Sequence, residues 1–182
     1  MSRTYDNLEA PIVEWLGQQH VFFVATAPAP GDGHVNLSPK GHDTFRVLDD
    51  ATVAYLDLTG SGVETIAHLS ENGRITIMFC AFDGPPRIVR LYGTGEVVRP
   101  ADEDFAELAS RFPALPGIRS VIRVRLDRVS TSCGYSIPLM GYEGERDTLI
   151  EWAERKSPDG ITAYWAEKNG ESIDGLPGLV AR

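Results

Sequence analysis

Apolar positions change their spacing along this chain, and each change marks an element. Leu8, Ile12, Trp15 and Leu16 recur every three or four residues, with Asp6 or Asn7 available as a cap and Gly17 as a stop; this predicts a helix over 8–18. Residues 21–25 (VFFVA) are β-branched and aromatic. They are expected to pair with a strand over 34–38 across a mobile turn rich in Pro and Gly at 28–33. Strands over 44–48 and 52–58 follow, joined at Asp49-Asp50. After Gly62, Val63, Ile66, Ala67 and Leu69 form the inner side of a short helix that Asn72-Gly73 closes. Residues 74–81 are almost continuously apolar, as expected for a strand buried on both faces or at the core of a closed sheet. A long strand over 87–98 carries Gly93 and Gly95, which predict a tight bend.

Pro100 is expected to open a helix whose first turn holds Asp102, Glu103 and Asp104. The helix dipole favours carboxylates there, so the cluster needs no chemical role. Ile122, Val124 and Leu126 alternate with Arg123, Arg125 and Asp127 as in a half-buried strand, and residues 129–138 leave regular structure. Residues 145–168 read as helical with a break at Ser157-Pro158-Asp159-Gly160, and the tail after Asn169-Gly170 reads as a loose arm that docks on the domain or on a partner. The strands are joined by turns too short for parallel crossovers. The expected fold is therefore mainly β (α+β), a six-stranded antiparallel split β-barrel with flanking helices. Residues 1–140 form the barrel domain, and 141–182 form a helical extension and tail packed on it.

A chain of 182 residues is long enough to bury its own core. Its net charge of -9 disfavours nucleic acid and anionic membranes, so anions must be met by local basic pockets. Two unpaired cysteines, Cys80 and Cys133, and the lack of a signal-type leader or an apolar run of membrane-spanning length point to a cytoplasmic protein with no membrane partner.

Several motifs fail on inspection. Gly31-Asp32-Gly33, Gly60-Ser61-Gly62 and Gly93-Thr94-Gly95 all lack the third glycine and the strand–helix–strand frame of a dinucleotide site, and Lys40 precedes Gly41 rather than a hydroxyl residue. His20, His34, His42 and His68 lie on different elements without ligand-type spacing, so no metal site is expected. Cys133 has no identifiable partner base. One constellation survives. Lys40 ends one strand, while the helix start after Gly62 offers backbone N–H groups together with the hydroxyls of Ser61 and Thr65. Brought to one side of a small barrel, these donors would make a receptor for phosphate and hence for a phosphorylated cofactor.

Residues 35–41 (VNLSPKG), 57–65 (DLTGSGVET), 74–79, Gly84-Pro85-Pro86 with Arg90-Leu91-Tyr92-Gly93, and 132–138 (SCGYSIP) resemble the pyridoxamine phosphate oxidase-like family of FMN-binding split barrels. The likeness spans about residues 21–138. It implies a homodimer with FMN at the subunit interface and a small-molecule substrate. By the same resemblance, Asn36, Leu37 and Ser38 lie along the flavin ring, with Lys40 on the phosphate or on the ring's electron-rich edge. Ser61 and Thr65 hold phosphate, and Cys133, Gly134 and Tyr135 come from the interface loop. The C-terminal segment, residues 175–182, lacks the Trp/Arg pattern of the oxidase proper, which argues against pyridoxamine phosphate as substrate. The expected activity is FMN-dependent oxidoreduction of another small molecule by hydride transfer at flavin N5, with Tyr135 and His42 as candidate proton donors. A non-catalytic flavin- or haem-binding module and a reductase using deazaflavin F420 are the alternatives.

Overall fold

The computed structural model describes residues 2–179. Its elements are β1 (Arg3–Tyr5), α1 (Ala10–Leu16), β2 (Phe22–Thr26), β3 (Asn36–Lys40), β4 (Phe45–Val47), β5 (Thr52–Leu58), α2 (Glu64–Asn72), β6 (Arg74–Cys80), β7 (Ile88–Val98), α3 (Phe105–Ala109), β8 (Ile118–Ser132), α4 (Thr148–Glu154) and α5 (Pro158–Lys168). The strands form one antiparallel sheet in the order β3-β2-β6-β7-β8-β5-β4, with β1 added beside β8. The mainly β split-barrel architecture is as expected, but the sheet has eight strands, not six.

One of the added strands, β1, has its physical origin in β8. β8 does not end near residue 128 as expected; it runs to Ser132 because β7 stays paired with it along its whole length. One edge of β8 meets β7. The other meets β5 over its first half and β1 over its second, so the three-residue β1 is recruited by a long neighbour, and no alternation of its own marks it.

β3 and β4 are the two ends of the sheet, yet only residues 41–44 separate them in the chain. A link this short cannot span a flat sheet of seven strands at about 4.8 Å each. The sheet must curl until its ends approach, and the gap between them is the split. His42 (φ 62°) and Asp43 (φ 53°) adopt left-handed backbone in this link, a strained conformation for residues with a Cβ.

The curl encloses Phe22, Val24, Tyr55, Ile77, Phe79, Leu91 and Ile122, and Leu8 together with Ile12 and Leu16 of α1 closes this core. A second cluster, including Leu56, Val98, Leu108 and Phe112, lies under α3. β6 alternates Ile75, Ile77 and Phe79 inward with half-exposed Thr76 and Met78 outward, so it is buried on one face only. The first helix starts at Ala10, after Glu9 and with Pro11 in its first turn. Neither Asp6 nor Asn7 caps it. α3 begins at Phe105 rather than at Pro100, and the Asp102 carboxylate instead accepts from the Arg99 amide (2.7 Å). Ser157 caps α5 by accepting from Gly160 N (3.1 Å), with Pro158 in its first turn; the break expected here is also the start signal of the last helix.

The tail is pinned rather than loose. Gly178 N donates to Gly170 O (2.9 Å), Leu179 N donates to Asn169 O (2.7 Å), and a bridge joins Glu171 to Pro177. Residues 180–182 of the C-terminal segment lie outside the described residues.

The bend in β7 depends on Gly93, where the pairing with β8 shifts register and a Cβ would strike the Arg125 carbonyl. Gly93→Ala should lower unfolding free energy by about 2–4 kcal/mol. Gly31→Ala, which meets nothing, should change it by less than about 0.5 kcal/mol. Urea denaturation of both variants measures the contrast, and equal stability would contradict the bend's dependence on glycine.

Candidate functional site

Alternation along β3 turns Asn36, Ser38 and Lys40 to the inside of the curl and Leu37 and Pro39 to the outside. The inward side chains enter two polar groups. In the first, Ser38 Oγ donates to Asn36 Oδ1 (3.1 Å), and Asn36 Nδ2 donates to Thr26 Oγ1 (3.1 Å) and Thr65 Oγ1 (3.0 Å). Thr26 Oγ1 lies 3.0 Å from His68 Nδ1. The imidazole tautomer sets which of the two donates, and the other ring nitrogen is Nε2. That nitrogen and the Tyr55 hydroxyl are buried without a partner among the described residues. Burial lowers the His68 pKa and holds the ring neutral, and burial beside Asp57 raises Tyr55 well above the usual phenol range.

The second group is built on Asp57, which is 0% exposed at the end of β5. Its carboxylate accepts from Arg119 Nε (2.8 Å) and Nη2 (3.1 Å), and Arg119 is itself 4% exposed. Lys40 Nζ approaches the same carboxylate at 3.7 Å from the rim of the barrel. Two cations thus share one buried anion, which leaves a local positive excess in an otherwise acidic protein. Arg119 Nη1 also donates to Gly62 O (2.8 Å) and to Asn169 Oδ1 (3.0 Å).

Lys40 borders a cavity of about 700 Å³, within the range of small-molecule sites. Its wall combines Phe23, Leu56, Leu58, Phe82 and Leu149 with Lys40, Thr59 and Gly60 and with the charged Asp83, Glu145 and Arg146. A strap over residues 140–146 covers one side. The Tyr142 ring stacks on His20 (centroids 3.6 Å apart, planes 4° apart), and Glu145 accepts from Tyr142 Oη (3.1 Å) and from the His42 amide (3.1 Å). His42 Nδ1 lies 3.7 Å from the same carboxylate.

The candidate site residues therefore separate. Lys40 and His42 face the cavity, together with Gly60 from the loop that carries Ser61. Asn36, Ser38 and Thr65 meet one another inside the barrel, while Leu37 is 65% exposed on the outer face. Cys133, Gly134 and Tyr135 form a turn beyond β8 in which Gly134 is buried against Arg87 while Cys133 and Tyr135 are exposed, Tyr135 to 80%. Asp57, Arg119, Asn169, Tyr142 and Glu145 were not singled out from sequence. The one available signal was Asp57, a charge placed between Leu56 and Leu58 in an apolar strand.

Among the described residues no three His, Cys, Asp or Glu side chains come together as metal ligands, and no helix is long and apolar enough to cross a membrane. Fold and cavity define a split-barrel protein with a cavity bordered by Lys40 at the end of β3. Comparison with known proteins narrows the class. A family model described as pyridoxamine 5'-phosphate oxidase matches residues 8–133. The pyridoxamine 5'-phosphate oxidase family protein ustO of Aspergillus flavus is 41% identical over 192 residues, covering 96% of this chain and 77% of that protein. The crystal structure of HupZ from Group A Streptococcus shares the fold, with a TM-score of 0.54 and 22% identity over 74% of this chain and 99% of that one. The chain belongs to the pyridoxamine 5'-phosphate oxidase family.

The tail reaches β3 through His34, whose backbone N (2.8 Å) and Nδ1 (2.6 Å) both meet the Asp174 carboxylate. The hydrogen bond to Asp174 raises the His34 pKa above 6.5, and the hydrogen bond from His34 lowers that of Asp174 below 3.8. For the histidine, the stabilising contribution is complete below about pH 6.5 and is lost as pH rises through its raised value. For the aspartate, it is present above about 3.8 and is lost as pH falls through its lowered value. The clasp is tightest between these limits. NMR titration of His34 should show a midpoint above 6.5 that returns toward 6.5 in Asp174→Asn; an unmoved midpoint would contradict the pairing.

Proposed function

We propose that this protein is a homodimeric flavoprotein that binds FMN and uses it for oxidoreduction of a small molecule. The observation that carries this reading is the composition of the cavity. Lys40 stands in a wall otherwise rich in aromatic and aliphatic residues, and Gly60 of the same wall leads into the loop of residues 61–63. Among the described residues, the amides of Ser61, Gly62 and Val63 donate to no acceptor, and α2 begins without a side-chain cap. Such donors suit a phosphate. The Glu64 carboxylate lies against Gly62, so a phosphate must displace it.

The residues present fit the cofactor. Lys40 and the amides of residues 61–63 would hold the phosphate, with Phe23, Leu58 and Phe82 against its apolar parts. FMN would supply hydride or electron transfer. The protein's own tasks would be to orient the ligand, exclude water with the strap over residues 140–146, and place His42, oriented by Glu145, at the cavity wall as a proton-carrying group. Membership of the pyridoxamine 5'-phosphate oxidase family supports the reading. Val35, Leu37, Tyr135 and Leu139 are large exposed apolar residues, and a second copy of the chain would bury them.

Purified protein mixed with FMN should quench flavin fluorescence and sediment at twice the monomer mass. Lys40→Glu should weaken FMN binding by about tenfold or more, because a cation facing a dianion becomes a repulsive carboxylate. Anaerobic NADH or NADPH should bleach the bound flavin. Absence of FMN uptake overturns the reading, and uptake without bleaching by either donor overturns its oxidoreductase part.

A further inference from the structure

Residues 60–62 form the loop between β5 and α2, and all three of their carbonyls are held from one side. Asn169 Nδ2 donates to Gly60 O (3.1 Å) and to Ser61 O (3.4 Å), while Arg119 Nη1 donates to Gly62 O (2.8 Å). Each trans peptide unit is planar, with its N–H pointing opposite to its C=O. Gly60 O shares a plane with Ser61 N, Ser61 O with Gly62 N, and Gly62 O with Val63 N. Fixing the three carbonyls toward Asn169 and Arg119 therefore turns the amides of Ser61, Gly62 and Val63 to the opposite side as a row of donors.

Asn169 can do this because it is fully buried and held on every side. Its backbone N donates to Trp165 O (2.8 Å) at the end of α5, its carbonyl accepts from Leu179 N (2.7 Å), and its Oδ1 accepts from Arg119 (3.0 Å). The charge on Arg119 sets the side-chain amide the right way round, oxygen toward the guanidinium and nitrogen toward the carbonyls. Trp165 Nε1 secures the same loop one residue earlier by donating to Thr59 Oγ1 (2.9 Å).

We propose that Asn169, in the C-terminal extension, is a positioning residue for phosphate recognition, presetting the amides of Ser61, Gly62 and Val63 toward the phosphate of the bound cofactor. The proposal rests on the FMN reading above. It gives the C-terminal extension a share in cofactor selection.

Asn169→Asp is the discriminating variant. It keeps shape and the Arg119 contact but replaces the donor to Gly60 O and Ser61 O with a carboxylate oxygen. The full-length protein and its Asn169→Asp and Asn169→Ala variants are titrated with FMN and with riboflavin, which lacks the phosphate, and binding is read by fluorescence quenching. FMN affinity should fall by about tenfold or more in both variants, while riboflavin affinity stays within about twofold. A general loss of structure would lower both affinities together, and that result, or unchanged FMN affinity, overturns the positioning role. Wild-type protein that takes up neither flavin defeats the FMN reading and this inference with it. Wild-type FMN binding that Asn169→Asp leaves intact defeats the inference alone. If a variant does not fold, the wild-type protein still decides. FMN, but not riboflavin, should shift the NMR resonances of the Ser61, Gly62 and Val63 amides and of the Asn169 side-chain amide, and their failure to move overturns the proposal.

Discussion

A carboxylate with no exposure to water must be neutralised by the protein, and Asp57 is such a group. Its bidentate contact with Arg119 and the approach of Lys40 tie the neighbouring strands β5 and β8 to the end of β3, one edge of the split. Burying this pair brings no large gain in stability by itself. Removing one partner, however, would strand a charge in the interior at a cost of about 3–5 kcal/mol. Its main effect is geometric. With the carboxylate fixed, the guanidinium has one orientation, and its remaining donors reach Gly62 and Asn169.

The barrel interior is graded from apolar to polar. Phe22, Tyr55 and Phe79 pack edge-on or stacked around the core that α1 closes, and these contacts hold the curl without any polar help. Beyond them come the hydroxyl and amide chain from Ser38 to His68 and the Asp57 ion group. The polar part is costly to bury and is placed where the sheet opens. Its members satisfy one another almost completely; the exceptions are Tyr55 Oη and His68 Nε2.

Period-2 and period-3.6 patterns made most elements legible, because burial of one face repeats at short range in the sequence. β1 and the second half of β8 were not, since both owe their structure to pairing with distant partners rather than to an alternation of their own. The same distinction holds at the site. Lys40 and the Gly60-Ser61-Gly62 loop were readable from residue type. Arg119 lies before the alternation that marked its strand, and Asn169 looked like the end of a helix followed by a loose tail. Their roles arise from contacts across 62 residues between Arg119 and Asp57 and 109 between Asn169 and Gly60, which no local pattern encodes. The family resemblance named the site residues as one set, whereas the fold sorts them into a cavity group, an interior group and an exposed turn.

The central claim is that the open side of this barrel, between Lys40 and the start of α2, is a phosphate-binding seat for a flavin. A crystal structure of the protein grown with FMN tests it most directly. The phosphate is expected within hydrogen-bond distance of Lys40 Nζ and of the amides of Ser61, Gly62 and Val63. A phosphate found elsewhere on the protein, with those amides facing solvent, would contradict the account.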